Sequence, residues 1–124
     1  MYKRIILKLS GETLAPDASK PDAPRGVFDA QRVDAAAEMI LKLQARGIQV
    51  GVVIGGGNIW RGRFTKEMNG ANADQMGMLA TIINALCVQD AITRKGGKAV
   101  VFSAQEMNRF TRLYTRSAAL DAMN

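Results

Sequence analysis

Two patterns of apolar and polar residues alternate along the chain and together predict an α/β fold. Short apolar runs rich in β-branched residues occur at 3–9, 48–54 and 98–103. Such runs are typical of parallel strands buried on both faces. Between them, apolar residues recur at helical spacing over about 29–46 and 73–95. This order predicts a right-handed βαβ unit that a further helix and strand extend into a mainly parallel sheet.

The boundaries of the two long helices carry further signals. Asp29 is placed to cap the first helix, and Gly47 is placed to end it. The second helix is apolar over more of its circumference than one sheet contact needs, which predicts either a helix sandwiched within the domain or a subunit interface. Asp74 lies in its predicted first turn, where helix capping and ligand binding are both open interpretations.

The remaining segments are less regular. Residues 13–28 contain all three prolines and predict a long polar loop, either a lid or regulatory loop or a mobile surface insertion. Residues 104–108 predict a helical turn, 110–114 a loop, and 117–124 the start of an amphipathic helix. Three strands would leave an open sheet edge, so we expect the chain to be the front part of a longer domain.

A triple glycine at the end of the second strand is the clearest candidate for chemistry. Gly55–Gly57 would expose backbone N–H groups, and Arg61 follows as a charged donor, which together favour binding of anionic oxygens. Lys8 lies near the carboxyl end of the first strand, just before Ser10 and Gly11, at the same predicted sheet edge. Lys8 is therefore interpreted as a phosphate contact or as a lysine that reaches solvent. Neither G-x-G-x-x-G nor G-x-x-x-x-G-K-[ST] is present as written.

Composition excludes several other classes of function. The 48% apolar content predicts a globular core, and the single cysteine excludes a disulfide framework. Histidine is absent, which excludes Ser-His and Cys-His nucleophiles and the common zinc patterns. No stretch resembles a signal peptide or a membrane span, so we expect a cytoplasmic protein without membrane contact.

The net charge of +6 favours anionic partners. The basic residues are spread along the chain, and few aromatic residues are available to stack on bases, so a pocket for phosphorylated small molecules is favoured over a nucleic-acid surface. Arg109, Arg112 and Arg116 would line one helical face or form an exposed, solvated surface.

Three motifs, at 7–12, 52–62 and 73–81, resemble the bacterial uridylate (UMP) kinase family of the amino-acid-kinase superfamily. Their order and spacing are specific, and the resemblance covers about the first half of a family member. It implies a three-layer αβα sandwich with a mainly parallel sheet, of the amino-acid-kinase and carbamate-kinase type, truncated here to its N-terminal part over 1–124.

The resemblance also implies an activity, ATP- and Mg²⁺-dependent phosphoryl transfer to UMP, in a homohexamer. It assigns Lys8 and Arg61 as catalytic electrostatic stabilisers, Gly56 and Asp74 to UMP, and no residue to a metal. The ATP phosphates would contact Lys8, Leu9, Ser10, Gly11, Gly57 and Arg61. The resemblance also implies GTP as an effector, and the 13–28 loop, where some members respond to GTP, departs from the family pattern in length and proline content.

Two functional hypotheses remain. One is a UMP kinase of which this chain is an incomplete and inactive part. The alternative is a non-catalytic module of the same superfamily that binds a nucleotide or an oxyanion.

Overall fold

Helices and parallel strand pairs make up the computed structural model, which describes residues 1–22, 26–60 and 67–124. The elements in chain order are β1 Arg4–Leu9, a 3-10 helix Gly11–Leu14, α1 Ala30–Ala45, β2 Gln49–Ile54, α2 Gly70–Arg94, β3 Phe102–Ser103, β4 Arg112–Leu113 and α3 Arg116–Met123. The predicted α/β class, the parallel pairing and the three helices are therefore confirmed.

The unit β1, α1, β2 forms as the sequence predicts. The two strands pair in parallel, with Arg4 opposite Gln49 at one end and Leu9 opposite Ile54 at the other. The Asp29 carboxylate accepts a hydrogen bond from the backbone N–H of Gln31 and so caps α1. Gly47 has a φ of +82°, a conformation that glycine adopts without strain, and it turns the chain into β2.

The main core lies between this strand pair and the two long helices. Alternate strand residues pack toward the helices, because side chains of a strand point to opposite faces. The fully and partly buried members of this core include Leu7, Leu9, Leu14, Val33, Ala36, Ala37, Ile40, Val50, Val52, Ile54, Val88, Ala91 and Ile92.

The prediction that the strands are buried on both faces is wrong for the opposite face of this sheet. Ile6 is 68% exposed and Val53 is 54% exposed there. A Cβ built on Gly51 would lie 2.9 Å from the Met123 Cε of α3, so α3 contacts this face. The helix is only eight residues long, and it leaves most of the third layer uncovered within the described residues.

The third predicted strand is also different in the structure. Only Phe102 and Ser103 are assigned to it, and they pair with β4 in a separate two-stranded sheet. The 110–114 segment, predicted as a loop, supplies β4. The N–H of Arg112 donates to the Val101 carbonyl at 2.9 Å, and the Ser103 and Thr111 hydroxyls hydrogen-bond at 2.6 Å in the interior.

Residues 104–108 form bends and the start of a turn, so the predicted helical turn there is wrong. The three arginines do not share a helix either. Arg109 lies in this turn, Arg112 in β4 and Arg116 at the start of α3, and all three are exposed. Their interpretation as a solvated surface agrees with this placement.

The helix α2 is 25 residues long and carries apolar side chains well beyond its core contact. Its exposed residues include Met76, Leu79 and Ile83, at 39%, 45% and 47% exposure. By length and composition alone α2 could cross a membrane, whereas no stretch was predicted as a membrane span from the sequence. Length and composition alone are weak evidence for a membrane helix, because core helices of soluble proteins share them. In this structure α2 packs on α1, and the middle of α2 carries the buried polar side chain of Asn84.

Candidate functional site

The candidate site lies where β1 and β2 both end. The N–H of Gly55 donates to the Leu9 carbonyl at 2.9 Å, which extends the ladder by one residue beyond the two strands. The chain then turns in both places, into Ser10–Gly11 after β1 and into Gly56–Gly57 after β2. The two predicted anion-binding loops therefore lie at the same sheet edge, as the parallel topology requires.

Gly11 packs directly against the glycine turn, defined as Gly55–Asn58. A Cβ on Gly11 would lie 2.9 Å from the Gly57 nitrogen and 3.0 Å from the Gly55 carbonyl oxygen, and it would collide with the Asn58 Oδ1. Only glycine permits this approach, because the neighbouring atoms are mostly backbone and cannot rotate away. The sequence requirement at Gly11 is thus steric, whatever the loop binds.

The 3-10 helix that begins at Gly11 ties this loop to the core. Leu14 is fully buried, and its carbonyl accepts a 2.8 Å hydrogen bond from the N–H of Asp29. The prediction of one polar loop over 13–28 is therefore wrong at its start, because Leu14 packs in the core. The bond to Asp29 brings the two ends of the intervening loop together, and Pro24 within it lies outside the described residues.

Gly56, in the middle of the glycine turn, packs against α2. A Cβ there would lie 2.9 Å from the Ala80 Cβ, 3.2 Å from the Gly77 carbonyl oxygen and 3.2 Å from the Thr81 nitrogen. The Trp60 indole N–H, four residues on, donates to the Ala73 carbonyl at 3.1 Å. The segment after the glycines is therefore held along the N-terminal half of α2.

Asp74 lies three residues before Gly77, one helical turn toward the start of α2 from the level of Gly56. The interpretation of Asp74 as a helix cap is wrong. The N-cap is Asn69, whose side-chain oxygen accepts from Ala71 N at 2.8 Å and Asn72 N at 3.4 Å. Because the helix begins earlier than its apolar pattern suggests, Asp74 lies in the second turn with an exposed side chain. Its assignment to a ligand stays a prediction.

Lys8 has an exposed side chain on the sheet face that also carries Ile6 and Val53. That is the face opposite α1 and α2. Ser10 is also exposed, and its hydroxyl lies 3.2 Å from the Thr13 hydroxyl. The role of Lys8 as a phosphate contact stays a prediction. Arg61, the other predicted catalytic residue, lies outside the described residues.

A polar pair that was not predicted from the sequence, Asn58 and Asn84, supports the glycine turn. Asn84 of α2 is fully buried, and its Nδ2 donates to the Gly55 carbonyl and to the Asn58 Oδ1, both at 2.7 Å. Asn58 Nδ2 in turn lies 3.2 Å from Asn84 Oδ1 and 3.3 Å from the Val27 carbonyl. The sequence signal for this pair is an amide residue in the middle of an apolar helix, because a buried amide needs hydrogen-bond partners.

The described residues contain no group of three or more His, Cys, Asp or Glu side chains that could hold a metal ion. Mg²⁺ in phosphoryl-transfer sites is commonly held by one or two carboxylates together with the phosphates of the substrate.

Comparison with known proteins decides the family. The family model described as "Amino acid kinase family" matches residues 3–122. The chain belongs to the amino acid kinase family. It is 40% identical to the uridylate kinase of Mycoplasma capricolum subsp. capricolum over 126 aligned residues, covering 99% of this chain and 50% of that protein.

Solved structures agree with this assignment. The UMP kinase of Bacillus anthracis matches with a TM-score of 0.86 and 34% identity, over 98% of this chain and 49% of that one. The UMP kinase of Ureaplasma parvum matches with a TM-score of 0.85 and 32% identity, over 100% of this chain and 52% of that one. A carbamate kinase from Giardia lamblia, bound to AMP-PNP, matches with a TM-score of 0.57 and 16% identity, over 98% of this chain and 45% of that one. This match shows a shared fold.

The resemblance to UMP kinases is thus confirmed, as is the amino-acid-kinase fold. The chain spans about half the length of the uridylate kinase and the UMP kinase structures that it matches.

Proposed function

We propose that the protein is a UMP kinase, which transfers the γ-phosphoryl group of ATP to UMP and gives UDP and ADP. The observation that carries the proposal is the contact between Gly11 and the glycine turn at the shared end of β1 and β2. Two backbone loops meet there beside an exposed lysine. The similarity to uridylate kinases along the whole chain supports the choice of UMP.

The proposed roles divide the site at the glycine turn. On the ATP side we place Lys8, Leu9, Ser10, Gly11, Gly57 and Arg61. On the UMP side we place Gly56, which packs against Gly77 and Ala80 of α2, and Asp74, which lies one helical turn before Gly77 in the same helix. The glycine turn would then separate the donor phosphate from the acceptor phosphate.

The chemistry suits a chain without histidine. Phosphoryl transfer relies on positioning and on stabilising charge at the phosphate oxygens, and it needs no covalent nucleophile. Lys8 and Arg61 would stabilise negative charge on the transferred group, while backbone groups of the two loops orient the phosphates. Mg²⁺ would enter with ATP, because the phosphates of the substrate commonly supply part of its ligands in phosphoryl-transfer sites.

The biological setting belongs to the same proposal. We expect a cytoplasmic homo-oligomer, a hexamer by analogy with the family, that serves pyrimidine nucleotide synthesis and contacts neither nucleic acid nor membrane. The exposed apolar residues of α2 support burial in a subunit interface. Regulation by GTP stays a prediction of the resemblance.

The proposal is tested by an assay of ADP release coupled to NADH oxidation, with the protein at the full length that its gene encodes. We expect UMP to be the preferred acceptor over CMP, carbamate and amino acids. Equal or faster turnover with an amino acid or with carbamate would overturn the assignment to UMP.

A second candidate is favoured by one observation, the half-length match to the curated relatives. The 124-residue chain alone would then bind a nucleotide or an oxyanion without turnover. Calorimetry of this chain with UMP and with ATP, beside the same kinase assay, separates the two functions. We expect no turnover from the 124 residues alone, and measurable turnover would exclude the binding-only function.

A further inference from the structure

Asn84 is a polar side chain in an apolar setting. It lies in the middle of α2 with no exposed surface, and its neighbours along the helix include Ile82 and Val88, both buried. An amide in such a place is costly unless its hydrogen bonds are made. Both of its N–H groups are used, one to the Gly55 carbonyl and one to the Asn58 Oδ1, each at 2.7 Å.

The two bonds from Asn84 reach the glycine turn and not the regular strand. Gly55 lies one residue beyond β2, so its carbonyl marks the point at which the chain leaves the sheet. Asn58 closes the same turn, and its Nδ2 lies 3.3 Å from the Val27 carbonyl, just before α1. Asn84 therefore fixes both ends of the four-residue turn from the helix side.

The position of the Asn58 Oδ1 also affects the loop after β1. This oxygen is the atom nearest to the place that a Cβ on Gly11 would occupy. The loop that carries Ser10 and Gly11 thus rests against an oxygen that Asn84 holds in place. A shift of the Asn58 amide would move both loops of the candidate site relative to each other.

From these contacts we infer that Asn84 is a positioning residue of the kinase site, acting through Gly55 and Asn58 on the loops that hold the two nucleotides. The inference rests on the proposed function. Asn84 itself has no exposed surface, so we assign it no direct contact with either nucleotide. Its effect on catalysis comes from the fixed geometry of the glycine turn, since phosphoryl transfer is sensitive to small displacements of the groups that orient the phosphates.

The test compares Asn84→Asp with a control of equal stability. Asn84→Asp keeps the shape of the side chain and removes both N–H donors. Val88→Ala and Ile92→Val perturb the core of the same helix, and the one whose Tm is closer to that of Asn84→Asp serves as the control. Steady-state kinetics with UMP and ATP are measured in full-length protein, well below both melting temperatures.

We expect Asn84→Asp to raise KM for UMP and lower kcat, so that kcat/KM falls about 10²-fold, the size expected for a misplacement of roughly 1 Å. The control should keep values close to those of the unchanged protein. Equal effects in both variants, or no effect of Asn84→Asp, would overturn the inference. If Asn84→Asp does not fold, Asn58→Ala removes the partner amide at a half-buried position and takes its place in the comparison.

Failure of the proposed function gives a different result. If the unchanged protein does not phosphorylate UMP, the UMP kinase proposal fails, and calorimetric binding of UMP and of ATP decides the role of Asn84. Weaker binding by Asn84→Asp than by the stability-matched control supports it. Equal binding, or no binding by the unchanged protein, overturns it.

Discussion

Replacement of Gly11 by alanine tests the contact on which the candidate site depends. The added Cβ would lie 2.9 Å from the Gly57 nitrogen, whereas ordinary van der Waals contact begins near 3.4 Å. The two loops must therefore separate by about half an ångström or more, or the Asn58 side chain must leave its place. Overpacking of this kind costs about 1–3 kcal/mol, which a domain with about 5–15 kcal/mol of stability survives.

Two measurements follow from that displacement. Urea unfolding of Gly11→Ala should show a loss of stability within this range. The coupled assay should show kcat/KM for UMP reduced by about tenfold or more, because the loops that we propose to orient the two nucleotides would no longer meet correctly.

Gly70→Ala is the matched control for this prediction. A Cβ at Gly70 has nothing within 4 Å, and the residue begins α2, where alanine is at least as favourable as glycine. It should leave kinetics unchanged and stability unchanged or slightly raised. If Gly11→Ala matches Gly70→Ala in both stability and kcat/KM, the loops are not in tight contact and the geometric argument for the site fails.

Three further predictions rest on separate features. Lys8→Met should lower kcat by about 10²-fold with little change in unfolding, because its exposed head would stabilise charge in the transition state, and unaltered kcat would remove Lys8 from that role. Burial, reinforced by the negative charge of Asp90, raises the pKa of the Cys87 thiol. Iodoacetamide should therefore alkylate Cys87 more slowly at pH 8 in the folded protein than in the urea-unfolded protein. Equal rates would contradict the burial of this thiol. Ile83→Lys, at an exposed apolar position of α2, should reduce the molar mass seen by light scattering, whereas an unchanged mass would place the subunit interface elsewhere.

The part of the fold that could be predicted from sequence is the part with local signals. The unit β1, α1, β2 agrees with its prediction to within about one residue, because Asp29 and Gly47 mark the helix ends and the strands are short apolar runs. The start of α2 was misplaced, since the cap at Asn69 lies before the apolar periodicity begins. Helix caps that precede an apolar pattern leave only a weak trace in a single sequence.

The failures concern pairing between distant segments. Nothing local to Arg112–Leu113 predicts that it pairs with Phe102–Ser103, and two residues are too few for a periodic pattern. The exposed face that carries Ile6 and Val53 was predicted as buried because an apolar run does not say which of its faces a partner covers.

The candidate site shows the same division. Parallel topology alone predicts that the loops after β1 and β2 meet at one sheet edge, and they do. The pair of Asn58 and Asn84, 26 residues apart, could not be predicted, because neither asparagine has a local reason to favour the other. The close approach of Gly11 was equally invisible, since glycine in a turn has several possible causes.

The glycine turn is supported by three different kinds of contact, and their combination bears on function. One is a ladder bond from Gly55 to Leu9, one is steric contact of Gly11 and Gly56 with their neighbours, and one is the buried amide of Asn84. Steric contacts limit how close the loops come to each other. Hydrogen bonds from both N–H groups of the Asn84 amide also fix the orientation of the Gly55 carbonyl and the Asn58 side chain. We expect a turn held in this way to be organised before a nucleotide binds, so that little binding energy is spent on ordering it. We therefore expect the accuracy of phosphate placement to depend more on the asparagine pair than on the apolar core around it.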